Sequence, residues 1–79
     1  MADQDLDCSG LSCPLPILRA TRALRNMASN DLLRVTATDP NAPKDFKALC
    51  ESTPHELVDS QKEGDRYVIT VRRGPVGPG

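Results

Sequence analysis

The sequence predicts an α+β fold: a two-layer α/β sandwich of order βαβαββ, with two helices on one face of a four-stranded mixed sheet. Two segments carry apolar residues at helical spacing along one side only, and four others are short and partly alternating. Because each helix has one apolar stripe and each strand is half polar, two layers are the economical arrangement. With 79 residues, the chain forms one small domain with little room for an internal pocket.

The first half of the predicted domain is a short strand followed by an amphipathic helix. Residues 4–8 alternate weakly, and the turn signal Ser9-Gly10 ends them. From residue 14 to about residue 27 the apolar residues recur at three and four, so they share one face of a helix. Three arginines lie on the opposite side, which makes the exposed face basic. The apolar face consists of Ile17, Ala20, Leu24 and Met27, and the basic face of Arg19, Arg22 and Arg25.

A second strand and a second helix follow. Residues 32–38 are β-branched and partly alternating, which indicates a strand. The turn-rich stretch 39–43 ends in Pro43, which suits the first turn of a helix because N–H groups there have no partner within the helix. Residues 52–54 (STP) end this helix. Its apolar face consists of Phe46, Leu49 and Cys50.

The last part of the domain contains two more predicted strands. Residues 55–62 form the third strand, Gly64-Asp65 makes a turn, and residues 67–72 form the fourth strand. We therefore expect a single domain over residues 1–74. The tail at residues 75–79 (PVGPG) has nothing to bury, and we expect it to be mobile.

Composition argues against several classes of function. The formal net charge is −1 and the aromatic residues are Phe46 and Tyr67, whereas nucleic-acid binders usually show a basic excess or several stacking rings. No apolar run approaches the roughly 20 residues that cross a bilayer, and the acidic start MADQDLD lacks the features of a secretory signal. We therefore expect a cytoplasmic protein that binds neither nucleic acid nor membranes directly. Its three cysteines are expected to be thiols.

The stretch GLSCPLP at residues 10–16 places a thiol directly before two prolines. A residue that precedes proline is driven into an extended conformation, which is the backbone of a helix N-cap. Pro14 and Pro16 are then the first and third residues of the helix, where a missing N–H costs little. The prolines therefore fix the start of the helix and hold the Cys13 thiol at its tip, exposed to solvent.

A thiol at a helix N-terminus lies at the positive end of the helix dipole, which lowers its pKa. Among the first three helical residues only Leu15 keeps its N–H, so an anion at Cys13 has few hydrogen-bond donors. The dipole and the arginines must supply most of the stabilisation, and we expect a pKa of Cys13 that is only modestly lowered. A modestly lowered pKa suits a thiol that must both accept an atom and release it, since the nucleophilic reactivity of a thiolate falls as its pKa falls.

Residues 10–16 resemble the Cys-Pro-x-Pro signature of the TusA family of small sulfur-carrier proteins, formerly grouped under the name SirA. The resemblance covers nearly the whole chain apart from the tail. Cys8 is an extra thiol that the family pattern does not require, and Leu15 occupies a variable position. The other matching segments are Asp39-Pro40, Asp45-Phe46 with Cys50, His55-Glu56-Leu57-Val58 and Arg72-Arg73-Gly74.

The resemblance implies the same βαβαββ sandwich that the order of elements predicts. It also implies that Cys13 accepts sulfane sulfur as a persulfide and passes it to a cysteine of a partner protein, without a cofactor or a metal. Donors in the family are cysteine desulfurases or rhodaneses. Acceptors are DsrE/TusD-like proteins that serve tRNA 2-thiouridine synthesis or dissimilatory sulfur oxidation. Such a carrier acts as a co-substrate, so its standing as an enzyme is a matter of definition, and we expect a monomer.

The arginines of the first helix extend away from the reactive tip. Such a row is usually a solvated face, and here it is equally consistent with a surface that guides an acidic partner into register. The candidate site residues are Cys13 as the persulfide-bearing nucleophile, Gly10, Pro14 and Pro16 as site-shaping residues, and Leu15, Arg19 and Arg22 as contacts for partners.

Two other functions stay open. One is a thiol-redox protein in which Cys8 and Cys13 form a reversible disulfide. The other is a regulatory or RNA-binding module, which the charge balance and the scarcity of aromatic residues disfavour. A zinc site built from the three cysteines and His55 is disfavoured because the pairs are spaced more widely than in zinc ribbons and Cys50 lies on an apolar helix face. We interpret His55 as a structural residue rather than a general base.

Overall fold

The structure is a computed structural model that describes residues 3–75. The predicted α+β fold is confirmed, and the boundaries of all six elements lie within two residues of the predicted ones. Apart from Pro75, the predicted tail at residues 75–79 lies outside the described residues. The elements are β1 (Asp3–Cys8), α1 (Leu15–Arg25), β2 (Leu32–Ala37), α2 (Ala42–Ser52), β3 (Glu56–Glu63) and β4 (Arg66–Arg72).

The four strands form one mixed sheet in the order β1-β2-β4-β3. β1 and β2 are parallel, with Cys8 opposite Ala37 at their carboxyl ends, and α1 supplies the long crossover that a parallel pair requires. β4 is antiparallel to both β2 and β3. The two-residue turn Gly64-Asp65 joins β3 to β4, and its glycine has a φ of 62°, as tight hairpin turns require.

The core lies between the sheet and the two helices. Alternate residues of β2 and β4 point to the same face and are fully buried there, as is Phe46 of α2. Burial of this phenylalanine contributes roughly 1.5–3 kcal/mol. Within residues 3–75, no helix combines the length and the apolar character needed to cross a membrane. The buried apolar residues are Cys8, Ala20, Leu24, Met27, Leu33, Val35, Ala37, Ala42, Phe46, Ile69 and Val71.

Hydrogen bonds after β4 tie three parts of the chain together. The backbone N–H of Arg73 donates to the carbonyl of Asp31 (2.8 Å), and its Nε donates to the carbonyl of Leu24 in α1 (2.8 Å). The N–H of Gly74 donates to Nδ1 of His55 (3.0 Å), just before β3. Because β4 runs antiparallel to β2, these bonds lie at the end of the sheet opposite to the carboxyl ends of β1 and β2.

Candidate functional site

Cys13 lies in the loop that joins β1 to α1. Because β1 and β2 are parallel, this loop comes beside the first residues that follow β2. The N–H of Gly10 donates to Oγ1 of Thr38 (2.9 Å), and the N–H of Cys13 donates to Oδ2 of Asp39 (2.8 Å). Gly10 has a φ of 81°, a left-handed conformation that glycine adopts without steric cost. This geometry supports the site-shaping role expected of Gly10, which stays a prediction.

Helix α1 begins one residue later than predicted. The N–H of Leu15 donates to the carbonyl of Ser12 (2.9 Å), which closes a turn, and the carbonyl of Pro14 accepts the N–H of Leu18 (3.0 Å). Pro14 is therefore the N-cap and Pro16 the second helical residue, which corrects the prediction that both prolines lie within the helix. Neither proline interrupts a helical hydrogen bond, as predicted, because the first turn leaves its N–H groups unpaired within the helix.

Cys13 itself lies outside the helix rather than at its N-cap. It belongs to the turn that precedes α1, with a cis peptide bond to Pro14, and its side chain is exposed, as predicted. The N–H of Leu15, expected to remain available to an anion, is instead bonded to the Ser12 carbonyl. Leu15 and Leu18 follow closely in the sequence and are 43% and 57% exposed. The thiol is thus open to solvent, with exposed apolar side chains at the start of the following helix.

Two carboxylates lie beside the thiol. Sγ of Cys13 and one carboxylate oxygen each of Asp39 and Asp45 are within 4.8 Å of one another. Hydrogen bonding to Asp45 raises the pKa of Cys13, and desolvation and the negative charges of Asp45 and Asp39 raise it further. The prediction of a modestly lowered pKa is therefore wrong. Cys13 lies outside the helix, and the charges that act on its sulfur are those of carboxylates rather than arginines.

Sequence reasoning did not identify Asp39 and Asp45 as site residues, although both belong to segments that carry the family resemblance. Asp39 follows β2, and its Oδ1 accepts the N–H of Asn41 (3.2 Å). Asp45 lies in the first turn of α2. Both approach Cys13 because β1 and β2 are neighbours and parallel. The sequence signal that could have identified Asp39 is its position directly after the second strand of a strand–helix–strand unit.

Cys13, Asp39 and Asp45 are the group of potential metal-ligating side chains found within residues 3–75. Exposed acidic groups are common without an ion, and nothing else at this position indicates one, so the cluster carries no metal assignment. The zinc site considered above does not form among the described residues. Cys8 is fully buried in the core, and Nδ1 of His55 accepts the N–H of Gly74.

The other two cysteines have the properties of structural residues. Cys8 has no accessible surface, and Cys50 is half-buried against the core. Burial is the main cause that raises the pKa of each thiol, and a raised pKa lowers the thiolate fraction and hence the reactivity of a cysteine. All three cysteines are free thiols. A disulfide between Cys8 and Cys13 requires the Cys8 side chain to leave the core, which weakens the redox alternative.

The arginines of α1 line an open groove between this helix and β1. Arg19, Arg22 and Arg25 are exposed, as predicted, and apolar atoms of Leu6 and Leu18 contribute to the lining. The groove therefore combines three cationic groups with apolar surface. Such a surface is complementary to an acidic segment that carries an apolar side chain.

Comparison with known proteins shows extended sequence similarity. The family model described as "Sulfurtransferase TusA" matches residues 4–73. The sulfur carrier protein TusA of Allochromatium vinosum is 48% identical over 71 residues, which cover 90% of this chain and 93% of that protein. A putative sulfur carrier protein of Neisseria meningitidis serogroup A is 46% identical over 72 residues, covering 91% of this chain and 97% of that protein.

A solved structure shares the fold. The crystal structure of a SirA-like protein from Desulfitobacterium hafniense matches with a TM-score of 0.79, covering 90% of this chain and 97% of that chain at 19% identity. At this identity the likeness concerns the fold alone, and it agrees with the two-layer sandwich. The family assignment rests on the sequence matches, which include the Cys13 loop and the two acidic segments beside it. The chain therefore belongs to the TusA family.

Proposed function

We propose that this protein is a sulfur carrier that accepts sulfane sulfur as a persulfide on Cys13 and relays it to a partner protein. The observation that carries the proposal is the exposure of the Cys13 thiol in an anchored loop, while Cys8 is buried in the core and Cys50 is half-buried against it. A carrier needs one accessible nucleophilic sulfur and a surface on which another protein can dock. Relatives named sulfur carrier proteins support the same role.

The proposed transfer is an exchange at sulfur. The Cys13 thiolate attacks the outer sulfur of a donor persulfide, R–S–SH. A new sulfur–sulfur bond forms at Cys13, the donor's bond breaks, and the donor leaves as R–S⁻, which takes up the proton that Cys13 released. In the second step an acceptor thiolate attacks the outer sulfur and Cys13 leaves as a thiolate. Donor and acceptor exchange a sulfur atom without net oxidation, so no cofactor is required.

Both partners in this relay are proteins. The donor is a cysteine desulfurase or a rhodanese, the acceptor is a DsrE/TusD-like protein, and the pathway is tRNA 2-thiouridine synthesis or dissimilatory sulfur oxidation. We propose that the carrier acts in the cytoplasm as a monomeric domain spanning residues 1–74. Leu15, Arg19 and Arg22 contact the partners, which the exposure of Leu15 and the basic groove support.

The persulfide is tested by intact mass after incubation with inorganic polysulfide. We expect the wild-type protein to gain the mass of one sulfur atom, which dithiothreitol then removes. Cys13→Ser should gain nothing. Cys50→Ser is the matched control, with the same change at a half-buried thiol, and should gain sulfur as the wild type does.

Two results contradict the proposal. A wild-type protein that gains no sulfur is not a persulfide carrier under these conditions. A loss of two hydrogens that disappears in both Cys13→Ser and Cys8→Ser indicates a disulfide between these cysteines, and thus the redox alternative.

A further inference from the structure

The transfer described above gives no role to Asp45, although this residue lies beside the reacting sulfur. Asp45 is half-buried in the first turn of α2, where its N–H donates to the carbonyl of Asn41 (2.9 Å). Its carboxylate lies near Cys13 Sγ together with that of Asp39. The structure thus holds negative charge next to a group that must itself become negative in order to react.

Asp39 and Asp45 interact with Cys13 in different ways. Asp39 is held by backbone groups, since Oδ2 accepts the N–H of Cys13 (2.8 Å) and Oδ1 accepts the N–H of Asn41 (3.2 Å). Asp45 instead lies beside the side chain, with one of its carboxylate oxygens within 4.8 Å of Sγ, where it favours the protonated thiol. Asp39 therefore fixes the loop in addition to placing its charge near the sulfur, whereas the main influence of Asp45 is on the sulfur itself.

A carboxylate in this position has a defined electrostatic effect. It stabilises the protonated thiol as a hydrogen-bond acceptor and destabilises the thiolate by charge repulsion. It is a poor general base for this sulfur, because carboxylates are far weaker bases than thiolates. Since the thiolate is the nucleophile and the form that oxidises, the carboxylate reduces the reactivity of the exposed thiol in the free protein.

We propose that Asp45 is a positioning residue that holds Cys13 as a thiol in the free carrier, and that a cationic side chain of the docked partner pairs with Asp45 and Asp39 and thereby releases the thiolate. Charge complementarity identifies this group, because two carboxylates beside the sulfur favour a cation. The effect of Asp45 on the thiol stands on the geometry alone, whereas its part in transfer rests on the proposed function.

The first test measures the reaction of Cys13 with methyl methanethiosulfonate, a neutral reagent, as a function of pH. The thiolate attacks the sulfenyl sulfur, a mixed disulfide forms, and methanesulfinate leaves. Peptide mass spectrometry follows the modification of Cys13 alone. In Asp45→Asn, which keeps the size and removes the charge, we expect the midpoint of the profile to move to lower pH.

The pH profile has two limbs, the rising rate below the midpoint and the alkaline plateau above it. Together they distinguish a change in the pKa of Cys13 from a change in the structure of the loop. Intrinsic reactivity falls with pKa with a coefficient of about 0.4–0.5. For each unit by which the midpoint falls, the rate should therefore rise about threefold below the midpoint and fall about threefold on the alkaline plateau. A loop that merely opens raises both limbs. Asp59→Asn is the control, since Asp59 is exposed on β3 and bonded to Gln61, and it should change neither limb.

The second test uses charged reagents of the same class. One reagent is the cationic trimethylammonium-ethyl thiosulfonate and the other is the anionic sulfonatoethyl thiosulfonate. The ratio of the cationic to the anionic reaction rate should be higher for wild-type Cys13 than for N-acetylcysteine. The preference for the cation should shrink in Asp45→Asn and in high salt, which screens exposed charges. The cationic reagent stands in for the cationic side chain of a partner.

Three results overturn the proposal. An Asp45→Asn profile that superimposes on that of the wild type removes the role of Asp45, and so does a rise of both limbs. If the two charged reagents react with Cys13 in the same ratio as with N-acetylcysteine, the proposed cationic group of the partner is ruled out. If Asp45→Asn does not fold, Asp45→Ser provides the same readouts. None of these measurements uses a sulfur donor, so their failure leaves the persulfide experiment unaffected, and a failure of persulfide loading leaves them unaffected.

Discussion

The charges next to Cys13 oppose both halves of a sulfur relay in the free protein. A raised pKa makes the thiolate rarer, and below that pKa the loss of thiolate outweighs the gain in its nucleophilicity, which slows uptake of sulfur. It also makes Cys13 a poorer leaving group, which opposes release. A partner cation that pairs with Asp45 increases the thiolate fraction and improves the leaving group. One docking contact therefore assists both steps.

The close packing around Gly74 leads to a prediction about the stability of the protein. Gly74 is buried, and a Cβ at this position overlaps the backbone carbonyl of Pro54. In Gly74→Ala the backbone must shift, so we expect a loss of about 1–3 kcal/mol in the free energy of unfolding. Urea denaturation measures this loss.

The control for this substitution adds no atoms to a packed site. Ser60→Ala changes an exposed residue of β3 and should stay within about 0.5 kcal/mol of the wild type. A Gly74→Ala protein as stable as this control contradicts the argument, because it shows that the Pro54 segment can move at little cost.

Helix α1 shows which structural features can be inferred from the sequence. Its buried face follows from apolar spacing, a local property, and Ala20, Leu24 and Met27 are buried as predicted. Its start is predicted one residue too early because the turn bond from Leu15 to Ser12 competes with a cap at Cys13. The Cys13 backbone N–H is bonded to Asp39, 26 residues away, and no local rule anticipates that contact.

The exposed face of α1 gives a prediction about partner docking. Arg19 and Arg22 line the groove beside β1, and neither side chain belongs to the core. The double variant Arg19→Glu, Arg22→Glu should therefore fold but dock poorly. With a cysteine desulfurase and L-cysteine as the donor system, we expect sulfur loading to be about tenfold slower at low salt. The difference should shrink as salt screens the charges.

A second double variant controls for net charge. Arg34→Glu, Arg66→Glu makes the same charge change on the sheet face that the helices leave uncovered. Arg34 pairs with Asp5 at 3.4 Å in an exposed ion pair, which contributes at most about 1 kcal/mol to stability. This protein should load at nearly the wild-type rate. Equal slowing in both double variants indicates that total charge, not the α1 face, governs docking.

The order of the strands in the sheet decides which loops lie next to each other. The sequence predicts every strand and the layer of helices, since these depend on periodicity and turn residues. The helix between β1 and β2 favours a parallel arrangement of these strands, but the sequence leaves open that they are neighbours in the sheet, because the strand order depends on contacts distant in sequence. That pairing brings Asp39 and Asp45 to Cys13. The identity of the nucleophile is therefore a local inference, whereas the charge around it is a property of the fold.

His55 lies at the end of the sheet opposite to Cys13. Its Nδ1 accepts the N–H of Gly74 (3.0 Å), and this bond requires a neutral imidazole. Burial lowers the pKa of His55, and the positive charge of Arg73 lowers it further. Protonation thus favours the unfolded chain, in which the pKa is about 6.5. The stabilisation from neutral His55 is complete above about pH 6.5 and is lost as the pH falls through the lowered folded-state pKa.

This linkage predicts a pH dependence that one substitution removes. In His55→Asn, the amide oxygen can accept the Gly74 N–H but does not titrate in this range. From pH 7.5 to pH 5, the free energy of unfolding from urea titrations should fall more in the wild type than in His55→Asn. Carboxylates titrate alike in both proteins, so the difference between the curves isolates the histidine. Parallel curves over this range contradict a neutral His55 acceptor, and a wild type that loses less than the variant reverses the sign.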